Sequence, residues 1–298
     1  MTSCTIIISH YESLPFLRAC VRQIRKYAHP EIKQHIIISD QSSQSAYINV
    51  FLEFGNSPDI TIVHSAPLYS GYGLDYIFRN FPIHSEYVCQ IHVDAFPINK
   101  NWLSLPIKLI DEYNLHFVGQ LQFISKLEDT IYPPNKFFAM AQAFNVARTE
   151  TYKNLSVEAG FTRFHNRPQA EMGWNNDDWH EWAKLDYNAR GSDDDVVAFH
   201  WEDKNLNHDK LGLAITGFIE PSFGRIIEDI VFHFGSCRES IGVSGQMPKM
   251  YTAFTEKINA DYSDELINKM VGLAKANHPS ESQILSRNYW NGKTKQAE

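Results

Sequence analysis

The sequence predicts an α/β fold: a mixed, mainly parallel sheet with helices on both faces. Three observations carry this. Short runs of consecutive apolar, β-branched residues recur through the first hundred positions, the pattern of strands buried on both faces. Helix-compatible stretches alternate with them, as crossovers between parallel strands require. Polar residues gather just after the apolar runs, where ligands bind to sheets of this kind.

Thr5-Ile6-Ile7-Ile8-Ser9 reads as the first strand. Leu14, Leu17, Val21 and Ile24 then repeat at helical spacing, with Arg18, Arg22, Arg25 and Lys26 between them, which marks an amphipathic helix. His35-Ile36-Ile37-Ile38-Ser39 is the second strand, residues 46–54 a second helix, and Ile60-Thr61-Ile62-Val63 the third strand. Tyr87-Val88-Cys89-Gln90-Ile91-His92-Val93 is the fourth. Beyond Trp102 the pattern loosens. A helix is expected at 103–113, a strand at 116–119 and a polar, aromatic loop at 161–176. A helix at 179–189 follows, capped by Asp177 and Asp178. The stretch from Ile226 to His233 is apolar and ends in polar residues; residues 262–276 form one more amphipathic helix, and residues 291–298 fray.

The chain has 298 residues, 43% of them hydrophobic and 21% charged, enough for a core that needs no disulfide or structural metal. Its 27 basic and 35 acidic side chains leave a net charge of −8. That excludes a broad electrostatic nucleic-acid binder. It leaves room for an anionic small ligand, provided positive charge is supplied locally, most cheaply by a divalent metal. No apolar run approaches the ~18 residues of a membrane-spanning helix, and no basic segment precedes the first apolar run as in a signal peptide. Cys4, Cys20, Cys89 and Cys237 are scattered, as expected for reduced core thiols of a cytoplasmic protein. Peripheral attachment to a membrane is left open.

The strand ends carry His10-Tyr11-Glu12, then Asp40-Gln41-Ser42-Ser43, then His92 and Asp94, with Gly71-Tyr72-Gly73 in a loop between. Four polar clusters therefore fall along one edge of one sheet. In extended chain, His92 and Asp94 project to one side of the strand. An imidazole and a carboxylate so placed both reach one divalent cation or one ribose diphosphate; alternatively they are simply a polar strand end.

Taken in order, these segments resemble GT-A glycosyltransferases, family 2 in particular. His92-Val93-Asp94-Ala95-Phe96-Pro97, followed by Trp102-Leu103, resembles that family's metal-binding triplet, proline and Trp-Leu helix start. Ile6 to Glu12 resembles its first strand and strand end, Ile37 to Ser43 its acidic second strand end, and Gly71-Tyr72-Gly73-Leu74-Asp75 its glycine-containing loop. Asp229-Ile230-Val231-Phe232-His233-Phe234-Gly235 resembles its later apolar segment with a histidine. The likeness is specific through Trp102, patchy from there to Arg238 and absent beyond.

The resemblance implies an inverting, hexosyltransferase-type enzyme with a GT-A-like, Rossmann-type catalytic domain over residues 1–240. Residues 1–100 would be the nucleotide-sugar half, 101–240 the acceptor half and 241–298 a C-terminal helical extension. It implies a nucleotide-sugar site at Ser9, Tyr11, Asp40, Gly71, Tyr72, Gly73, Asp75, His92 and Arg238, with Asp40 on the nucleotide base. It implies a metal on Asp94, with His233 completing the metal sphere or touching the diphosphate, and His92 either a further ligand or a contact to ribose or diphosphate. Asp178 and Asp177 are the first candidates for the catalytic base, with Glu171 third. UDP is the default nucleotide, and the acceptor is a hydroxyl of a glycan, a lipid-linked sugar or a polysaccharide. Aromatic faces of Trp174, Trp179, Trp182 or Trp201 suit a sugar cleft.

Three departures stand out: Ser39 and Gln41 flank Asp40 where the family has Asp and Gly, and His92 replaces the first Asp of the triplet. Imidazole is a good ligand for Mn²⁺ and a poor one for Mg²⁺, so Mn²⁺ is the expected metal. Two rival readings remain: a nucleotide-sugar-binding protein without transferase activity, and a metal-dependent nucleotidyltransferase.

Overall fold

The computed structural model describes residues 1–65, 74, 76–78, 80–113, 117–124, 137–154, 196–197, 211–218, 225–227, 230–234 and 263–276. The alternation expected in the first hundred residues is present. It runs β1 (Thr2–His10), α1 (Leu14–Lys26), β2 (Ile32–Asp40), α2 (Gln44–Phe54), β3 (Ile60–His64) and β4 (Tyr87–His92). These strands lie in the order β3-β2-β1-β4, all parallel. A proline in the first turn of α1, and Arg25 and Lys26 in its last turn, suit the two ends of that helix.

The chain continues through β5 (Ala95–Pro97), α3 (Ser104–Tyr113), β6 (Phe117–Ile124), β7 (Phe137–Arg148), α4 (Thr149–Asn154), β8 (Val196–Val197) and β9 (Leu211–Phe218). Last come β10 (Arg225–Ile227), β11 (Val231–His233) and α5 (Ser263–Ala276). The sheet extends from β4 through β7, β6, β9, β10 and β11 to β5. Because β7 runs antiparallel to both β4 and β6, and β6 parallel to β9, the sheet is mixed, as predicted.

Alternation along the strands buries both faces. Ile6, Ile8, Ile36, Ile38, Cys89 and Ile91 face α1 and pack in one core with Phe16, Leu17, Cys20 and Trp102. Ile7, Ile37, Val88 and Ala147 have the opposite parity and are buried as well. On that second face Tyr152 of α4 donates its hydroxyl to Asn145 Oδ1, and Phe78 stacks on Tyr152 at 5.0 Å. Helical residues therefore cover both faces. The helix at 263–276, expected within the C-terminal helical extension, contributes Ile267 to the first core. Its Asp264 accepts from Gln23 Nε2 at 2.5 Å and Lys26 Nζ at 2.8 Å on α1.

Several elements, β5, α4, β8 and β9 among them, are not foreseen from the sequence. The apolar stretch to His233 folds as an antiparallel pair, β10 and β11. The twelve-residue β7 has no counterpart in the sequence reading, because its Ala, Met, Gln and Asn residues carry weak strand propensity. The expected loop at 161–176 and helix at 179–189 lie outside the described residues. Cys4, Cys20 and Cys89 are free and buried, and burial pushes their thiols up; Cys237 lies outside the described residues. Among the described residues no helix is long and apolar enough to cross a membrane.

Candidate functional site

All four parallel strands end on a histidine or an aspartate: His10, Asp40, His64 and His92. The register sets His10, Asp40 and His64 in one row and pairs Ser9 with His92. Apolar strand interiors thus deliver polar side chains to one edge.

At β4 the chain turns through Val93 and Asp94 into β5. Val93 N–H donates to Ser9 carbonyl at 3.2 Å, and Phe234 N–H donates to Asp94 carbonyl at 2.9 Å. The β5–β11 pairing sets His233 opposite Ala95. The result is a cluster of His92, Asp94 and His233 whose ligand atoms lie within 4.8 Å of one another. Asp94 and His233 are buried and His92 is half-buried. His233 Nε2 stands 3.5 Å from Asp94 Oδ1, and the His92 and His233 rings meet edge-on at 6.0 Å.

Burial alone would push the Asp94 carboxyl up. The nearby imidazoles of His233 and His92 outweigh it and hold the group below the usual carboxylate range. The set fits a divalent cation by the chemistry of its donors: it offers two imidazoles and one carboxylate on ligand atoms close to one another. Ligands on one ion at bonds of about 2.1 Å stand roughly 3–4 Å apart, so the cluster needs only slight contraction.

The first two strand ends are tied together. Asp40 is fully buried. Its Oδ1 accepts from His10 Nδ1 at 2.8 Å, Ser42 Oγ at 2.6 Å and Ser42 N–H at 3.1 Å. Burial raises the Asp40 carboxyl, and the His10 and Ser42 contacts more than offset that, leaving it below its ordinary value. Gln41 N–H donates to His10 carbonyl at 3.0 Å. Glu12, at φ 48°, occupies the left-handed region that non-glycine residues seldom adopt. Its N–H donates to Ser42 Oγ at 2.8 Å, and its Oε1 accepts from Ser43 N–H at 3.2 Å. This turn displays Tyr11, 41% exposed, at the edge.

The structure therefore brings Ser9, Tyr11, Asp40, His92, Asp94 and His233 to one edge. Gly71, Tyr72, Gly73, Asp75, Glu171, Asp177, Asp178, Arg238 and the four tryptophans Trp174, Trp179, Trp182 and Trp201 lie outside the described residues. Sequence reasoning missed His64, because the third strand was ended one residue short, at Val63; the polar strand-end rule that found its neighbours would have found it. It also missed a buried brace under His92. Asn145 Nδ2 donates to Gln90 Oε1 at 3.2 Å, joining β7 to β4 two residues before His92.

No protein-family model and no curated protein matches the chain. About half of the chain is similar to parts of solved structures. One is the mannosyltransferase PcManGT from Pyrobaculum calidifontis in complex with GDP-Man and Mn²⁺, at 15% identity, 53% of this chain, 48% of that chain and a TM-score of 0.41. Another is S. aureus TarS 1-349 in complex with UDP-GlcNAc, at 13%, 52%, 47% and 0.36. A third is the galactosyltransferase LgtC with donor and acceptor sugar analogs, at 8%, 51%, 60% and 0.36. The matched part spans about half the length of the first two and 60% of the third.

Proposed function

We propose that the chain is a glycosyltransferase that moves a sugar from a nucleotide-sugar donor to a hydroxyl acceptor, with inversion and metal assistance. The observation that carries this reading is the edge itself. Three parallel strands end on paired or clustered His and Asp side chains, and the fourth leads into a two-histidine, one-carboxylate set. Buried polar atoms without hydrogen-bond partners among the described residues include Ser9 Oγ, Asp40 Oδ2, His64 Nδ1 and His233 Nδ1 at this edge, beside others such as Gln34 Nε2 and Gln90 Nε2 within the strands. Such atoms cost stability unless a ligand satisfies them.

Asp94, His233 and His92 would hold the cation, and this donor set favours Mn²⁺ over Mg²⁺. When bound, the cation supplies positive charge against the departing diphosphate. The protein's own part is positioning. Ser9, Tyr11 and Asp40 at the first two strand ends orient the nucleotide, together with Gly71, Tyr72, Gly73 and Asp75 from the following loop and Arg238 beside the diphosphate. Holding donor and acceptor in line supplies much of the rate. Asp178, or Asp177, takes the acceptor's proton. The acceptor is a glycan, lipid-linked sugar or polysaccharide hydroxyl.

The test is release of nucleoside diphosphate from a panel of nucleotide sugars with Mn²⁺, with GDP-Man and UDP-GlcNAc first in the panel. Turnover supports transfer or slow donor hydrolysis. Binding without turnover on any acceptor leaves a nucleotide-sugar-binding protein instead, and pyrophosphate release points to a nucleotidyltransferase.

A further inference from the structure

We propose that His64, rather than Asp40, meets the nucleotide base at the β2–β3 corner, with Asp40 behind it as the carboxylate that orients its ring. This rests on the donor-site reading above.

The row His10–Asp40–His64 is exposed at one end only. The side chains of His10 and Asp40 are 1% and 0% exposed, and that of His64 is 26% exposed. Each interior atom has an assigned task. Ser13 N–H donates to His10 Nε2 at 3.1 Å, so that nitrogen is an acceptor and the ring proton sits at Nδ1, which donates to Asp40 Oδ1 at 2.8 Å. Ser42 completes the shell of Oδ1. Only Asp40 Oδ2 remains, and it faces His64 Nδ1 at 3.5 Å. Neither of these two atoms has a hydrogen-bond partner among the described residues. Pairs of this kind are often long without ligand and tighten when it binds.

The ring of His64 is held on its face as well. Tyr47 of α2 stacks on it at 4.1 Å and 23°. A carboxylate at Nδ1 favours the tautomer with its proton there, which leaves Nε2 as an acceptor. The group that suits this corner is therefore a heterocycle offering an N–H along its edge, as uracil, thymine and guanine do. A ligand can reach the half-buried imidazole, whereas Asp40 is sealed behind it.

Calorimetric titration with Mn²⁺ tests this, using UDP, GDP and pyrophosphate as probes on the parent, His64→Ala, Asp40→Asn and the double variant. His64→Ala is expected to weaken the tighter of UDP and GDP about tenfold and to leave pyrophosphate, which has no base, unchanged. Asp40→Asn added to His64→Ala is expected to cost nothing further. Parent-like nucleotide affinity in His64→Ala overturns the assignment. So does a further loss in the double variant, which would mean that Asp40 touches the base itself. Should Asp40→Asn fail to fold, Tyr47→Leu loosens the His64 ring without altering Asp40. It is expected to weaken the nucleotide and spare pyrophosphate, and unchanged nucleotide affinity overturns the assignment. If the parent binds neither nucleotide, the donor-site reading falls, and this assignment falls with it.

Discussion

His233 Nε2 lies 3.5 Å from Asp94 Oδ1, and a three-residue pairing of β11 with β5 puts it there. The register that sets His233 opposite Ala95, with Phe234 N–H on the Asp94 carbonyl, fixes the distance between two residues far apart in sequence. The cluster they form with His92 is thus held by backbone hydrogen bonds, and its chemistry is open to substitution without dismantling the sheet.

Metal choice should follow the donor set. His92→Asp replaces an imidazole with a hard oxygen ligand, so the variant should bind Mg²⁺ more tightly relative to Mn²⁺ than the parent does. Competitive titration of the two ions, read by nucleotide affinity, measures the ratio. An unchanged ratio would remove His92 from the ligand set.

Asp178→Asn should retain donor affinity and lose transfer, by about a hundredfold or more if it removes the general base. Transfer at the parent rate in that variant would move the base to Asp177, Glu171 or another carboxylate. Donor affinity is measured by calorimetry and transfer by product formation with the best acceptor found.

Gly119 allows β6 and β7 to approach. A Cβ there would stand 2.6 Å from Asn145 Cα and 2.9 Å from Asn145 Cβ, and the neighbours include backbone that cannot yield. Gly119→Ala should destabilise the fold by about 1–3 kcal/mol, the usual cost of overpacking. Chemical denaturation of parent and variant gives the difference; equal midpoints would contradict the close β6–β7 approach.

Acid should weaken the protein through Asp40. Its folded pKa lies below the ordinary value, because His10 and Ser42 outweigh the opposing effect of burial. The native state therefore holds this proton less tightly than the unfolded chain does. The stabilisation is complete above the unfolded carboxylate pKa of about 3.9 and is lost as pH falls further. Stability measured from about pH 5 to 3 should fall less steeply in Asp40→Asn than in the parent. Parallel slopes would show that Asp40 is not a source of the acid sensitivity.

The parallel half of the sheet was legible because it is written in local signals. Ile6-Ile7-Ile8, Ile36-Ile37-Ile38 and Ile60 to Val63 each declare a strand, and the polar residues that follow each run declare an edge. What lay further off was not legible from the residues themselves. Phe137–Arg148 is a central strand whose burial comes from β4 and β6, not from its own composition. The meeting of Asp94 and His233 depends on two three-residue strands too short to show a period. A family resemblance named that histidine; the residues alone would have left it a core imidazole. His64 was missed by one position, and with it the row that ties Asp40 to Tyr47.

A thermal-shift titration of UDP-, GDP- and dTDP-sugars, with and without Mn²⁺, on the parent and on Asp94→Ala tests the central claim most directly. Binding raises the melting temperature by mass action. At least one sugar nucleotide should stabilise the parent with Mn²⁺ and do so weakly or not at all without it, and Asp94→Ala should abolish the Mn²⁺-dependent part. Absence of a shift with every donor, or an equal shift in Asp94→Ala, would contradict a metal-assisted nucleotide-sugar site at Asp94.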